Sequence, residues 1–198
     1  VKRDDWNRRY AESELLWTAQ PNRFLVAEAD DLRPGRALDL ACGEGRSAIW
    51  LAEQGWQATG IDFSEVALEK GRRLAQERGV QVEFLHADLL EYEPPESAFD
   101  LVCILYLQVP ADERRLVLRR AAAAVAPGGT LLLVAHDTSN LEGGTGGPSD
   151  PAVLYTPEEV AVELPGLEIE KAERVLRPVA GAERPAIDAL VRARRPRD

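Results

Sequence analysis

The feature that most narrows the fold is the run Leu38-Asp39-Leu40-Ala41-Cys42-Gly43-Glu44-Gly45. An apolar strand delivers a glycine turn to the start of a helix, which commits this part of the chain to a βα unit. Gly43 and Gly45 let the backbone turn tightly and approach a ligand closely. Backbone N–H groups of the loop and of the helix start are then on offer to polar ligand atoms.

The same pairing recurs downstream. Residues 36–41 predict a first strand, 46–54 a helix stopped by Gly55, and 56–61 a second strand ending at Asp62. Ser64 suits the N-cap of a helix over 65–78, which Gly79 ends. Residues 80–86 alternate as a third strand, with Asp88 just beyond. The continuous apolar run 99–107 reads as a buried central strand. A helix over 111–125 closes at Pro127-Gly128-Gly129, and 130–135 is a fifth strand. A glycine-rich loop follows over 136–154, and Thr156 caps a short helix. Residues 167–179 and 186–195 alternate as a pair of antiparallel strands. Before all of this, 4–17 and 22–31 predict two helices. Alternating strands and helices specify an α/β fold with a mainly parallel sheet. One domain over 1–198 is expected: a helical lid segment at 1–34, a core at 35–137, and a loop and hairpin at 138–198.

Three acids stand at successive strand ends, where open α/β sheets bind ligands. Asp39 sits at the end of the first strand, where a carboxylate suits a ligand carrying an ammonium group and would sit badly beside a pyrophosphate. Asp62, 19 residues after Gly43, can accept from two ribose hydroxyls. Asp88 can accept from an adenine amino group, with Phe63 and Leu89 placed to sandwich the ring. Each acid alone also reads as an ordinary turn residue. Gly43-Glu44-Gly45-Arg46-Ser47-Ala48 also satisfies the dinucleotide pattern G-x-G-x-x-A, so a nicotinamide-dependent oxidoreductase stands as an alternative.

Asp39-x-Ala41-Cys42-Gly43-x-Gly45 resembles the first motif of class I S-adenosylmethionine-dependent methyltransferases. Asp62-Phe63-Ser64, Asp88-Leu89, Phe99-Asp100-Leu101-Val102 and Ala126-Pro127-Gly128-Gly129-Thr130-Leu131 are similar to later motifs of that family. The resemblance implies a three-layer, Rossmann-like sheet of seven strands with an antiparallel C-terminal hairpin. It implies that Asp39, Ala41, Cys42, Gly43, Gly45 and the backbone near Leu105 line the methionine part of S-adenosylmethionine. It places Asp62 on the ribose, and Phe63, Asp88 and Leu89 around the adenine. Ala41 departs from the family, which often has glycine there; one methyl group implies a slight shift of the loop. Trp6-Asn7-Arg8-Arg9-Tyr10 and Leu16-Trp17 resemble the lid of small-molecule members, including the tellurite-resistance and thiopurine methyltransferase groups. Tyr10 would then bond the cofactor carboxylate; the alternative is an amphipathic helix with Trp6, Tyr10 and Trp17 as core anchors.

A soft acceptor such as a thiolate or a metalloid oxyanion needs no general base. An oxygen or nitrogen acceptor can use one. His136 and Asp137, at the end of the fifth strand, are the candidates, and Tyr106 is placed to orient the acceptor. The alternative for His136 is a hydrogen bond that anchors the loop. The loop after it, with Gly143, Gly144, Gly146 and Gly147, is expected to cover the acceptor. A binder of S-adenosylmethionine without catalysis is a further alternative.

The net charge of −10 makes nucleic acid a poor partner, since the basic cluster Arg192, Arg194, Arg195, Arg197 reads as a solvated end. Cys42 and Cys103 lie in apolar runs without metal or redox spacing. No membrane-length apolar run occurs, and the charged first residues lack a signal-peptide core, so a cytoplasmic protein is expected. The sequence does not indicate an oligomeric state.

Overall fold

The computed structural model describes residues 3–12 and 19–197. Residues 13–18, including Leu16 and Trp17 of the expected lid, lie outside the described residues. The elements run α1 (Arg3–Ala11), α2 (Arg23–Ala29), β1 (Arg36–Leu40), α3 (Arg46–Glu53), β2 (Gln57–Asp62), α4 (Glu65–Glu77), β3 (Val82–His86) and β4 (Phe99–Leu105). They continue with α5 (Ala111–Ala124), β5 (Val125–His136), α6 (Asn140–Gly143), a 3-10 turn (Pro151–Val153), α7 (Pro157–Val162), β6 (Glu168–Arg177) and β7 (Ala186–Arg194).

The seven strands form one sheet in the order β3-β2-β1-β4-β5-β7-β6. Strands β1 to β5 are parallel, and β7 enters antiparallel between β5 and β6. The chain changes direction of build between β1 and β4, which opens a crevice at their carboxyl ends.

Strand alternation sends side chains to two faces. On one face Ala37, Ala58, Leu101, Cys103, Leu132, Val134 and Leu190 pack with Leu25 of α2 and Ala48 and Leu51 of α3. On the other, Leu38, Leu40, Ile61, Val102, Ile104, Leu131 and Leu133 pack with Val117, Leu118, Ala121 and Ala122 of α5 and Val160 of α7. Helix starts follow the expected chemistry. Asn22 accepts from the backbone N–H of Phe24 at 2.9 Å, Ser64 from Ala67 at 3.3 Å, and Thr156 from Glu159 at 3.2 Å.

Two strands differ from expectation. β4 stops at Leu105 because Tyr106 takes φ 63°, a left-handed turn that ends the extended run. β5 begins at Val125 rather than 130, since Val125 pairs with Phe99 before a bulge carries the register to Leu101↔Thr130. Gly129 belongs to that bulge: a Cβ there would lie 2.9 Å from the carbonyl oxygens of Ala126 and Phe99. The loop expected over 136–154 is not structureless. It holds α6 and the 3-10 turn, and the Asn140 side chain ties it down, with Nδ2 donating to the Gly146 carbonyl and Oδ1 accepting from Ile187 N–H.

Candidate active site

The glycine loop leaves β1 through three left-handed residues, Ala41 (φ 59°), Gly43 (55°) and Gly45 (72°). Ala41 thus holds a conformation that glycine reaches without cost and alanine reaches at about 1 kcal/mol. A Cβ on Gly45 would fall 2.5 Å from the Phe84 ring, and one on Gly71 would fall 2.9 Å from it. Glycine at both positions therefore lets Phe84 wedge between the loop and α4. Two loop donors expected to be free are used internally: Gly43 N–H donates to Asp62 Oδ2 at 2.8 Å and Gly45 N–H to the Cys42 carbonyl at 2.9 Å. Cys42 itself packs behind the loop, its Sγ against Gly60 of β2. Burial pushes its thiol well above the ordinary range.

Asp39 is 2% exposed, and its Oδ1 has no hydrogen-bond partner. Desolvation dominates and raises its carboxyl from 3.8 to about 7, against the pull of Arg46 and with the help of Asp62. A buried carboxylate oxygen without a donor is costly unless a ligand supplies one. Asp62 is also buried, and burial raises its carboxyl although backbone N–H groups of Ser64, Gly43 and Phe63 oppose the shift. Ser64 N–H reaches its Oδ1 at 2.9 Å, so the carboxylate clamps the glycine loop to the start of α4.

Helix α1 lies over this loop. The Tyr10 hydroxyl sits where a Cβ on Gly43 would meet it at 2.7 Å. Lys70 of α4 donates to the Tyr10 carbonyl and lies 3.4 Å from Glu44, while Ser64 Oγ donates to Asn7 at 2.6 Å. Arg46, at the first turn of α3, is half-buried and sensed by Tyr106, Asp39, Arg177 and Tyr10, though desolvation governs it and lowers its pKa. Asp88 is half-buried and accepts from Leu90 N–H at 2.9 Å, and the half-buried Phe63 accepts at its carbonyl from His86. Leu105, partly buried, packs against the α2/α3 face beside Tyr106.

Two expected site residues are placed elsewhere. Leu89, 9% exposed, packs into the core under α5 with Leu40 and Val117. Asp137 is wholly buried. One residue past His136, it points to the opposite face by strand alternation. There its Oδ1 accepts from Ser139 N–H at 2.8 Å, Ser139 Oγ at 2.6 Å and Arg174 at 3.1 Å, while Arg174 also pairs with Glu158. These bonds anchor the loop through Oδ1, while Oδ2 is buried without a hydrogen-bond partner.

Beside β4 and β5 the structure joins the expected Tyr106 and His136 to two residues the sequence reading missed, Asp188 and Arg177. Asp188, wholly buried, lies opposite His136 in the β5–β7 register. Its Oδ2 accepts from the Tyr106 hydroxyl at 2.8 Å and from Arg177 Nε at 2.7 Å, and its Oδ1 is 3.3 Å from His136 Nδ1. Burial opposes its ionisation but is outweighed by His136, Arg177 and Tyr106, which together hold the carboxyl below its ordinary value. The Tyr106 and His136 ring centroids lie 4.8 Å apart with the planes tilted by 40°, and the Arg177 guanidinium lies 5.4 Å from the Tyr106 ring. The Tyr106 hydroxyl is pushed up by burial and by Asp188, so it stays a donor.

Residues 37–129 match the family described as a methyltransferase domain. A demethylmenaquinone methyltransferase from Thermus thermophilus is 38% identical over 124 residues, covering 62% of this chain and 54% of that protein. The chain spans about half the length of several curated relatives it matches. A solved structure concerned with the conversion of a disulfide bond into a thioacetal group during echinomycin biosynthesis aligns with a TM-score of 0.76. It is 25% identical and covers 98% of this chain and 92% of its own. The N-methyltransferase NodS from Bradyrhizobium japonicum, in complex with S-adenosylhomocysteine, shares the fold at a TM-score of 0.74 and 17% identity, with 98% and 97% covered. Among the described residues no helix is long and apolar enough to cross a membrane.

Proposed function

We propose, from the methyltransferase-domain match over residues 37–129 and the related methyltransferases, that this chain is a class I S-adenosylmethionine-dependent methyltransferase and transfers a methyl group from S-adenosylmethionine to a small molecule held beside Tyr106 and His136. The observation that carries the reading is Asp39 Oδ1, a buried oxygen without a donor at the mouth of the glycine loop. The ammonium of the cofactor's methionine part supplies that donor. Arg46 and the Tyr10 hydroxyl stand at the same loop and suit the methionine carboxylate. Asp62 keeps lone pairs for ribose hydroxyls beside its backbone bonds. Phe63 and Asp88 border the adenine, and the Leu105 backbone borders the methionine part.

When bound, S-adenosylmethionine supplies a methyl group already activated by its sulfonium. Transfer is then an in-line displacement in which holding both partners in register provides much of the rate. The acceptors this reading admits are a thiol or metalloid oxyanion, which attack as anions, and a hydroxyl, which first has to lose its proton. Helix α1 over Gly43 and the loop beyond His136, whose Gly147 packs on the imidazole, border the acceptor and act as its cover.

Calorimetric titration with S-adenosylhomocysteine tests the reading. One site per chain is expected, weakened strongly by Asp39→Asn and by Asp62→Asn. No binding, or binding of NADH in its place, would return the glycine loop to the nicotinamide alternative.

A further inference from the structure

The acceptor side of the crevice holds a buried carboxylate bonded by two donors, with an imidazole beside it. Tyr106 follows β4, His136 ends β5, and Arg177 ends β6; Asp188 near the start of β7 accepts from Tyr106 and Arg177, and His136 Nδ1 lies 3.3 Å from its Oδ1. Because β7 runs antiparallel, its first residues lie at the same edge as the carboxyl ends of the parallel strands.

Each contact constrains the imidazole. Asp188 is ionised and faces Nδ1, so a lone pair on Nδ1 would meet a carboxylate oxygen at 3.3 Å and be repelled. The proton therefore belongs on Nδ1. Arg177 already neutralises the carboxylate, so Asp188 does not require an imidazolium beside it. Nδ1 is buried, so the 12% of the side chain that is exposed lies elsewhere on it. The tilted contact with Tyr106 and packing against Gly147 hold the ring plane.

Resting on the methyltransferase reading above, we propose that Asp188 is a positioning residue that fixes His136 as the Nδ1–H tautomer, so that Nε2 takes the proton of an acidic hydroxyl, a phenol or enol, on the methyl acceptor. A thiol or metalloid oxyanion attacks without such a device; a hydroxyl does not. The hydroxyl proton moves to Nε2, and the imidazolium formed is stabilised by Asp188. The oxygen forms its bond to the methyl carbon as the carbon–sulfur bond breaks, and that electron pair goes to sulfur, which departs as a neutral thioether. The imidazolium then returns its proton to water. Arg177, over the Tyr106 ring, adds positive charge where the oxyanion develops.

The chain has two histidines, so a protein labelled with ¹⁵N in histidine gives two imidazole signals, and His136→Gln identifies one of them. The neutral His136 ring is expected to carry its proton on Nδ1, with Nε2 bare. Asp188→Asn is expected to move population to the Nε2–H tautomer while leaving the affinity for S-adenosylhomocysteine within about twofold of wild type. A neutral wild-type ring that is protonated on Nε2 overturns the proposal, and so does an unchanged spectrum in Asp188→Asn. Should Asp188→Asn fail to fold, the wild-type spectrum still decides the tautomer. Failure of wild type to bind S-adenosylhomocysteine is a separate result: it overturns the methyltransferase reading, and with it the acceptor class, whatever the tautomer.

Discussion

Replacing Asp39 by Asn tests the centre of the site through stability as well as binding. The folded carboxyl titrates at about 7, against 3.8 ordinarily, because burial disfavours its charge. Between those values the folded protein holds a proton that the unfolded chain has lost. Stability conferred by this group is therefore complete below pH 4, falls as the pH rises, and is lost above 7. A shift of roughly three units corresponds to about 4 kcal/mol. Asp39→Asn removes the titration and keeps the shape. Urea denaturation from pH 4 to pH 8 should show wild type losing about 4 kcal/mol more than the variant. Binding should run the other way. An ammonium group favours the ionised carboxylate, so wild-type affinity for S-adenosylhomocysteine should fall about tenfold for each pH unit below 7. At pH 8 the variant should bind about 10- to 100-fold more weakly, the worth of a hydrogen bond to a charged group, with little slope against pH. Parallel stability curves for the two proteins would refute the account of Asp39 as a buried, donor-poor carboxyl.

Gly43→Ala forces a left-handed residue and places a Cβ 2.7 Å from the Tyr10 hydroxyl. It should cost about 1–2 kcal/mol and weaken S-adenosylhomocysteine binding; an unaltered melting temperature and affinity would count against the fit of α1 over the loop. Tyr106→Phe removes one donor from Asp188 and should destabilise by about 1–2 kcal/mol in urea titrations without touching cofactor affinity. Arg174→Ala strips the guanidinium from the buried Asp137 and should cost about 2 kcal/mol, visible as a lower urea midpoint; no loss would mean that Ser139 alone satisfies that carboxylate.

The cofactor half was legible because its signals are local. A strand, a glycine turn and a capped helix occupy adjacent positions, so Gly43, Gly45, Asp39, Asp62 and Ser64 could be placed from spacing alone. What failed were side-chain directions and long-range partners. Period-two alternation separates His136 from Asp137, yet both were read as candidates for one edge. Leu89 follows a strand end that suggests the crevice, but the turn after β3 rolls it under α5. Asp188 lies within the alternating strand over 186–195, where nothing local marks it. Only the insertion of β7 between β5 and β6 turns that position inward, and no local pattern encodes which strand pairs with β5. Arg177 was hidden for the same reason, since its strand is otherwise exposed along most of its length.

The order of the sheet has a further consequence. The segment matched to the methyltransferase family ends at residue 129, and Arg177, Asp188 and His136 all lie after it. The groups proposed to hold the nucleotide and those proposed to face the acceptor therefore lie in different stretches of chain. The two stretches meet along β4 and β5, and also where Arg192 and Lys171 pair with Glu28 and where Arg114 donates to the Leu154 carbonyl. A swap of the β6–β7 hairpin between relatives would exchange Arg177 and Asp188 while leaving the glycine loop intact, provided that these contacts to α2 are carried with it.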